Sequence, residues 1–158
     1  MDSNNKITAV IIAYNEAKNI ERCVKSLLTV VDEIVVVDSF SQDNTVKLAE
    51  NLGAKVVQHE FEGYVEQKNH AITCASNPWV LSLDADEALS DELKIAVLSI
   101  KKELNPKIVY AVNRLNNFCG QWIKHCGWYP DTKLRLFHKT AGYWAGKNPH
   151  DKFVVNNG

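Results

Sequence analysis

The chain has 158 residues, 46% of them hydrophobic and 23% charged, which is enough to enclose one core and too little for two. Its 18 basic and 19 acidic side chains leave a formal net charge of -1, so there is no broad basic field to attract nucleic acid, and that class of partner is set aside. Cys23, Cys74, Cys119 and Cys126 match neither a zinc-finger spacing nor a redox CxxC, and they are expected to be reduced, mostly buried thiols.

In chain order, Lys6 precedes a short apolar stretch that Asn15 and Glu16 interrupt well before signal-peptide or membrane-spanning length, which predicts a cytoplasmic protein. Ile7 to Ala13 is nearly continuous in β-branched residues and reads as a strand. Ile20, Cys23, Val24, Leu27 and Leu28 then fall at helical spacing. Glu33 to Asp38 repeats the strand pattern, and Asp43 to Leu52 reads as a helix that Gly53 can close. Lys55 to Gln58 is a shorter strand, Tyr64 to Ser76 a helix stopped by Asn77 and Pro78, and Trp79 to Leu83 another strand. A further helix begins near Ser90, where Ser90, Asp91 and Glu92 suit an N-terminus. Beyond Pro106, Ile108 to Leu115, Lys133 to Phe137 and Gly142 to Trp144 read as strands of a mixed extension, in a segment rich in Trp, Tyr, Phe and Gly.

Strands that alternate with helices imply a parallel α/β sheet with right-handed crossovers, whose ligands bind at the carboxyl ends of the strands. Polar residues cluster at those ends: Tyr14, Asn15 and Glu16 after the first strand, Asp38, Ser39 and Ser41 after the second, Asp84 and Asp86 after the fourth. No GxGxxG follows the first strand and no P-loop is present, which disfavours a dinucleotide or P-loop nucleotide site. Asp84, Ala85, Asp86 and Glu87 place three acids within four residues where an apolar run stops. Their mutual repulsion would be relieved by a divalent cation, and Mg or Mn suits oxygen ligands better than zinc. The same residues would also serve as an acidic turn leading into the next helix.

Four motifs together resemble GT-A glycosyltransferases of family 2, and within them the lipopolysaccharide core-biosynthesis β-glycosyltransferase type. They are Ala9 to Glu16; Val36 to Thr45; Gln67-Lys68-Asn69 ahead of Leu81 to Glu87; and Tyr129-Pro130-Asp131 through Arg135-Leu136-Phe137 to His150-Asp151. Their order and spacing span nearly the whole chain. The resemblance implies a single GT-A domain over 1–158, Rossmann-like, with a mostly parallel central sheet and a mixed C-terminal extension. Its nucleotide-binding half would be about 1–105 and its acceptor-side half about 106–158. Two departures stand out: His150-Asp151 replaces a His-Glu pair, and the chain stops at Gly158 where relatives continue, so it is expected to be truncated, with part of the acceptor site or membrane contact missing.

The resemblance further implies an inverting, metal-dependent transfer of a sugar from a nucleotide-sugar donor, UDP-linked, to a hydroxyl of a saccharide or glycolipid acceptor. Asp38 would read the uracil edge, since a carboxylate can accept the N3 proton that cytosine lacks; its alternative is to cap the loop after the second strand. Ala13, Tyr14 and Glu16 would contact the nucleotide, Glu16 being otherwise a helix-start residue. Lys68 would meet the diphosphate, against the plain reading of a solvated lysine. Asp86 would bind Mn or Mg directly, with Asp84 touching ribose or a metal-bound water, His150 after the Asn148-Pro149 turn as third ligand, and Glu87 supporting them or capping a helix. Asp151, or else Asp131, would be the base that deprotonates the acceptor. Trp122, Trp128, Tyr129, Tyr143 and Trp144 would form an acceptor wall, most of them buried, with Trp128 or Tyr129 exposed to the cleft. His59, His70, His125 and His138 have no assignable partner. The resemblance places the protein at the cytoplasmic face of the inner membrane, peripherally attached, in lipopolysaccharide or cell-envelope glycan synthesis. Its rivals are a HAD-like phosphohydrolase, with Asp84 as nucleophile and Asp86 as acid/base, and a truncated relative that binds nucleotide without turnover.

Overall fold

Strand β1 (Ile7–Ala13) is apolar on both faces, so it can be stable only in the middle of a covered sheet. It is followed by α1 (Ile20–Leu27), β2 (Glu33–Asp38), α2 (Thr45–Asn51), β3 (Lys55–Gln58), α3 (Tyr64–Cys74), β4 (Trp79–Asp84) and α4 (Asp91–Ile100). Then come β5 (Tyr110–Arg114), β6 (Asn116–Phe118), β7 (Gln121–Ile123), β8 (Asp131–His138), β9 (Gly142–Lys147) and β10 (His150–Val155). The structure, a computed structural model, describes residues 3–147 and 150–156. The expected turn at Asn148-Pro149 lies outside the described residues.

The central sheet has the order β3-β2-β1-β4-β8-β5. Strands β1 to β4 pair in parallel, as the crossovers require, and β8 and β5 join antiparallel at the far side. One face packs Ile7, Ala9 and Ile11 of β1 against Ile20, Val24 and Leu27 of α1, Ala49 of α2 and Val97 of α4. The other face packs Val10, Val35 and Val37 against Ala71 and Ile72 of α3 and against Trp144 and Phe153 of the β9-β10 ribbon. Register sets the crevice: β1 pairs Ala13 with Asp38 on one side and Ile12 with Asp84 on the other. The polar ends of β1, β2 and β4 therefore meet on one sheet edge.

Local chemistry explains the element ends. Gly53, at φ 84, closes α2 by donating to Glu50 while Ala54 donates to Ala49, the paired bonds of a left-handed C-terminal cap. Ser90 Oγ accepts from the Leu93 amide at the start of α4. Helix α3 ends at Cys74 rather than Ser76 because Ala75 is already extended, at φ -69 and ψ 129.

Several expectations for the C-terminal third need correction. Strand β9 does not extend the central sheet but pairs antiparallel with β10, which the sequence reading did not assign. Nor was the short β6-β7 hairpin anticipated. Of the five aromatics expected to be mostly buried, only Trp144 is; Trp122, Trp128, Tyr129 and Tyr143 are exposed. Trp122 lies on β7, in a two-stranded ribbon outside the central sheet, Trp128 and Tyr129 lie in the loop between β7 and β8, and Tyr143 alternates with Trp144, which is the one pressed against Phe153 in the second core. Leu28, at the C-terminal end of α1, is also exposed. The cysteines are free as expected, but Cys119 and Cys126 are exposed and only Cys23 is fully buried.

The ribbon is closed at Gly142, where an added Cβ would lie 2.1 Å from the Val154 carbonyl oxygen and 2.7 Å from the Phe153 ring. Gly142→Ala must therefore push β9 and β10 apart or disturb the core below them. Urea unfolding is expected to show a loss of about 1–3 kcal/mol, with an unchanged midpoint refuting the close approach.

Candidate active site

Helix α3 carries Gln67, Lys68 and Asn69 in succession, and consecutive helical side chains project ~100° apart, so each reaches a different wall. Gln67 Nε2 donates to Ser39 Oγ at 3.0 Å, and its Oε1 lies 2.9 Å from His59 Nδ1. His59 stacks on His70 with ring centroids 3.7 Å apart. Asn69 holds β9 through a reciprocal pair: its Nδ2 donates to the Trp144 carbonyl and its Oδ1 accepts from the Trp144 amide, both at 2.9 Å. Between these two, Lys68 points at the carboxylates.

Lys68 is only 5% exposed, so it is not the solvated lysine of the plain reading. Its Nζ lies 2.8 Å from Asp151 Oδ2 on β10, 3.1 Å from Asp84 Oδ1 on β4, and 4.7 Å from the centre of the Trp144 ring. An ammonium taken out of water needs such partners. Asp84 is held from the other side by Arg135 Nη2 at 3.5 Å, and Arg135 also binds Glu87 Oε1 at 2.7 Å and the Ser82 carbonyl at 3.3 Å. Glu87 closes the acidic turn by accepting from the Asp84 amide at 3.0 Å, and the Asp84 carbonyl accepts from the Glu87 amide at the same distance. The backbone oxygen of Asp86 accepts from Arg22, which fixes the turn against α1.

These charges decide protonation. Burial opposes ionisation of Asp84, but the positive charges of Arg135 and Lys68 outweigh it and hold the carboxyl below the ordinary carboxylate range. For Glu87 burial wins over Arg135, and the negative Asp84 adds to the rise, so its carboxyl is pushed up. Asp131 is partly buried, yet its bonds to Lys133 and Arg114 bring it below the usual range. Cys23, buried beneath the acidic turn and near Glu87, has a thiol pushed up to about 12 and stays protonated.

Two cavities meet at Asp84 and Tyr64. The larger, about 570 Å³, is lined by Ala13, Tyr14, Glu16, Ser39 and Asp86 among others. The smaller, about 360 Å³, is lined by Lys68, Arg114, Lys133, Arg135, Trp144 and Asp151 among others. Asp38 lines neither: it is fully buried, and its carboxylate accepts from the backbone N–H and the hydroxyl of Ser41, the loop-capping arrangement. Glu16 lies in the turn before α1, its carbonyl accepting from the Asn19 and Ile20 amides, its carboxylate from Asn19 Nδ2 at 2.7 Å, while its amide donates to Thr45 Oγ1. Asp131 also lies outside both linings, gripped by Arg114 at 2.6 Å and Lys133 at 3.0 Å. His150 is exposed at the start of β10, opposite Lys147. Among the described residues no three His, Cys, Asp or Glu side chains converge as a metal group, so His150 is not brought together with Asp84 and Asp86.

The chemistry nonetheless fits a divalent cation at Asp84 and Asp86. Asp84 Oδ1 is a buried oxygen that, although ion-paired, has no aligned hydrogen-bond donor, and Asp86 is an exposed carboxylate at the rim of the larger cavity. Both are hard oxygen donors. Gln67, Asn69, Arg114 and Arg135 carry no role among the expectations drawn from sequence. The first two belong to one of the family motifs, and Arg135 to another, but their partners lie far away in sequence.

The strand order and the polar crevice at the ends of β1, β2 and β4 define a GT-A α/β domain. In agreement, the crystal structure of S. aureus TarS 1-349 superposes with a TM-score of 0.63 over 89% of this chain and 50% of that one, at 21% identity. The chain belongs to Glycosyl transferase family 2, whose model matches residues 8–156. It is similar to a glycosyltransferase of Rickettsia prowazekii, with 46% identity over 157 residues, and to one of Rickettsia typhi, with 37% identity over 157 residues. Each alignment covers 96% of this chain and 53% of the relative, so the chain spans about half the length of these relatives.

Because the folded Asp131 carboxyl titrates below its ordinary value of 3.8, the unfolded chain takes up the proton first. Its ion pairs therefore stabilise the fold above pH 3.8 and are lost as pH falls through the lower folded value. Denaturation midpoints for the parent and Asp131→Asn should differ near pH 6, with the gap closing as the solution is acidified below that window. A gap independent of pH would contradict the ion-pair assignment.

Proposed function

We propose that the domain binds a nucleotide-sugar donor, uridine-linked, in the larger cavity and transfers its sugar, with inversion, to a hydroxyl of a saccharide or glycolipid acceptor in the smaller one. The observation that carries this reading is the Lys68 ammonium at the junction, 3.1 Å from Asp84 and 2.8 Å from Asp151. An entering diphosphate would compete for that ammonium and release Asp151 toward the acceptor. Family membership favours this chemistry over a HAD-like phosphohydrolase.

Ala13, Tyr14, Glu16 and Ser39 would line the nucleoside, and the uracil-reading role for Asp38 requires Ser41 to release one of its oxygens. A divalent cation, Mn or Mg, would be held by Asp86 and Asp84 and would neutralise charge on the departing nucleoside diphosphate. With His150 apart from them, oxygens of the donor would complete its shell.

The acceptor oxygen would attack the anomeric carbon, its proton passing to the Asp151 carboxylate as the bond to the diphosphate oxygen breaks and the electron pair leaves with UDP. Asp151 suits the base role better than Asp131, whose two cations make it a poor proton acceptor. Cell-envelope or lipopolysaccharide synthesis at the cytoplasmic face of the inner membrane fits the family resemblance. Peripheral attachment there is compatible with exposed Phe118, Trp122, Trp128 and Tyr129 near the β6-β7 hairpin. Among the described residues no helix is long and apolar enough to cross a membrane.

Two variants test the assignment. Asp86→Ala should abolish manganese-dependent UDP binding in calorimetry while the unfolding midpoint stays near that of the parent, because Asp86 is exposed; unchanged affinity would refute the metal role. Asp151→Asn should bind UDP-sugar as the parent does yet transfer it roughly 10²-fold more slowly or worse. Transfer at the parent rate would move the base elsewhere. Binding without any turnover in the parent would favour the reading of a nucleotide-binding relative.

A further inference from the structure

The smaller cavity has a charge pattern that a neutral sugar does not explain. Five basic side chains, Lys68, Arg114, Lys133, Arg135 and Lys152, line it against two acidic ones, Asp84 and Asp151. Arg114 and Lys133 are balanced by Asp131 and Glu87, which do not belong to the lining, whereas Arg135 pairs both with Glu87 and with the lining Asp84. The counter-charges of Arg114 and Lys133 thus lie outside the cavity lining. Lys152 is exposed and has no ion-pair partner among the described residues.

Sugar hydroxyls both donate and accept hydrogen bonds, whereas ammonium and guanidinium groups only donate. The acceptor side chains in the wall are few: Asp84 and Asp151 carry roles in the reaction, and beside them stand the hydroxyls of Tyr64 and Thr132, the latter donating to Asn113 and keeping its lone pairs. Arg114, Lys133 and Lys152 do not line the larger cavity; Lys68 does not either, but it lies 3.1 Å from Asp84, which lines both, so a diphosphate at that junction accounts for Lys68 and leaves the other three.

Building on the donor and acceptor assignment above, we infer that the acceptor of this domain carries a negative group, a phosphate or a carboxylate, which Lys133 and Lys152 hold beside the hydroxyl that reacts. Lys133 and Arg135 of β8 and Lys152 of β10 line the same cavity as Asp151, so an anion held there shares that cavity with the proposed base.

The test is calorimetric, with glucose 6-phosphate, glucuronate and glucose as probes of the protein saturated with UDP and manganese, and repeated without either. At least one anionic sugar should bind about tenfold or more tightly than glucose, and the double variant Lys133→Gln/Lys152→Gln should lose about that factor while its UDP affinity stays at the parent value. The phosphate and carboxylate arms tell which group is preferred. Glucose binding as tightly as both anionic sugars, or a preference untouched by the double variant, overturns the inference. So does glucose 6-phosphate that merely competes with UDP. If UDP itself fails to bind, the donor assignment falls, and the preference measured without UDP still decides whether the cavity selects anions.

Discussion

One buried ammonium sets the architecture of the site. Lys68 arrives from α3, its two carboxylate partners come from β4 and β10, and the face of Trp144 comes from β9. Withdrawing an ammonium from water is costly unless charge and geometry compensate it, and here two carboxylates and an aromatic face do so. The arrangement ties the ribbon, which among the described residues pairs with no strand of the central sheet, to the edge where the parallel strands end. Asn69, one residue further on, reinforces the tie by holding both backbone groups of Trp144.

A second charge layer surrounds the first. Arg135 joins Asp84 to Glu87, and Arg114 joins Glu87 to Asp131, so the acidic turn after β4 is locked to the antiparallel strands β8 and β5. Opposing shifts of Asp84 and Glu87 follow from this asymmetry: two cations flank the first, while burial dominates the second. Adjacent carboxylates thus differ in proton affinity within one turn. The arrangement keeps Asp84 ionised where a cation or phosphate-bound metal would need it.

Much of the parallel half was legible from residue order alone. Continuous β-branched runs, helical spacing in α1, Gly53 after α2 and Ser90 before α4 are local signals with local causes, and the structure reproduces them. The C-terminal third was less legible. In β10, His150, Asp151 and Lys152 precede the apolar Phe153, which hides the strand, and β6 and β7 are each three residues long. Burial of Trp144 and exposure of Trp122 follow from which strands acquire a second layer, a property that no window of sequence contains.

The candidate site divides along the same line. Residue types and their positions at strand ends were enough to point to Tyr14, Glu16, Ser39, Asp84 and Asp86 around one crevice, because parallel strands deliver their carboxyl ends to a common edge; Ala13 came with the family resemblance. Family motifs also singled out Lys68 and Asp151. Pairing of Lys68 with both Asp84 and Asp151, enclosure of Asp38 by Ser41 and neutralisation of Asp131 by Arg114 and Lys133 came only with the tertiary fold. Composition and motif order express what a side chain can do. Its burial and its partners, which determine whether it acts as a ligand, a base or a brace, depend on chain segments as far apart as residues 68 and 151.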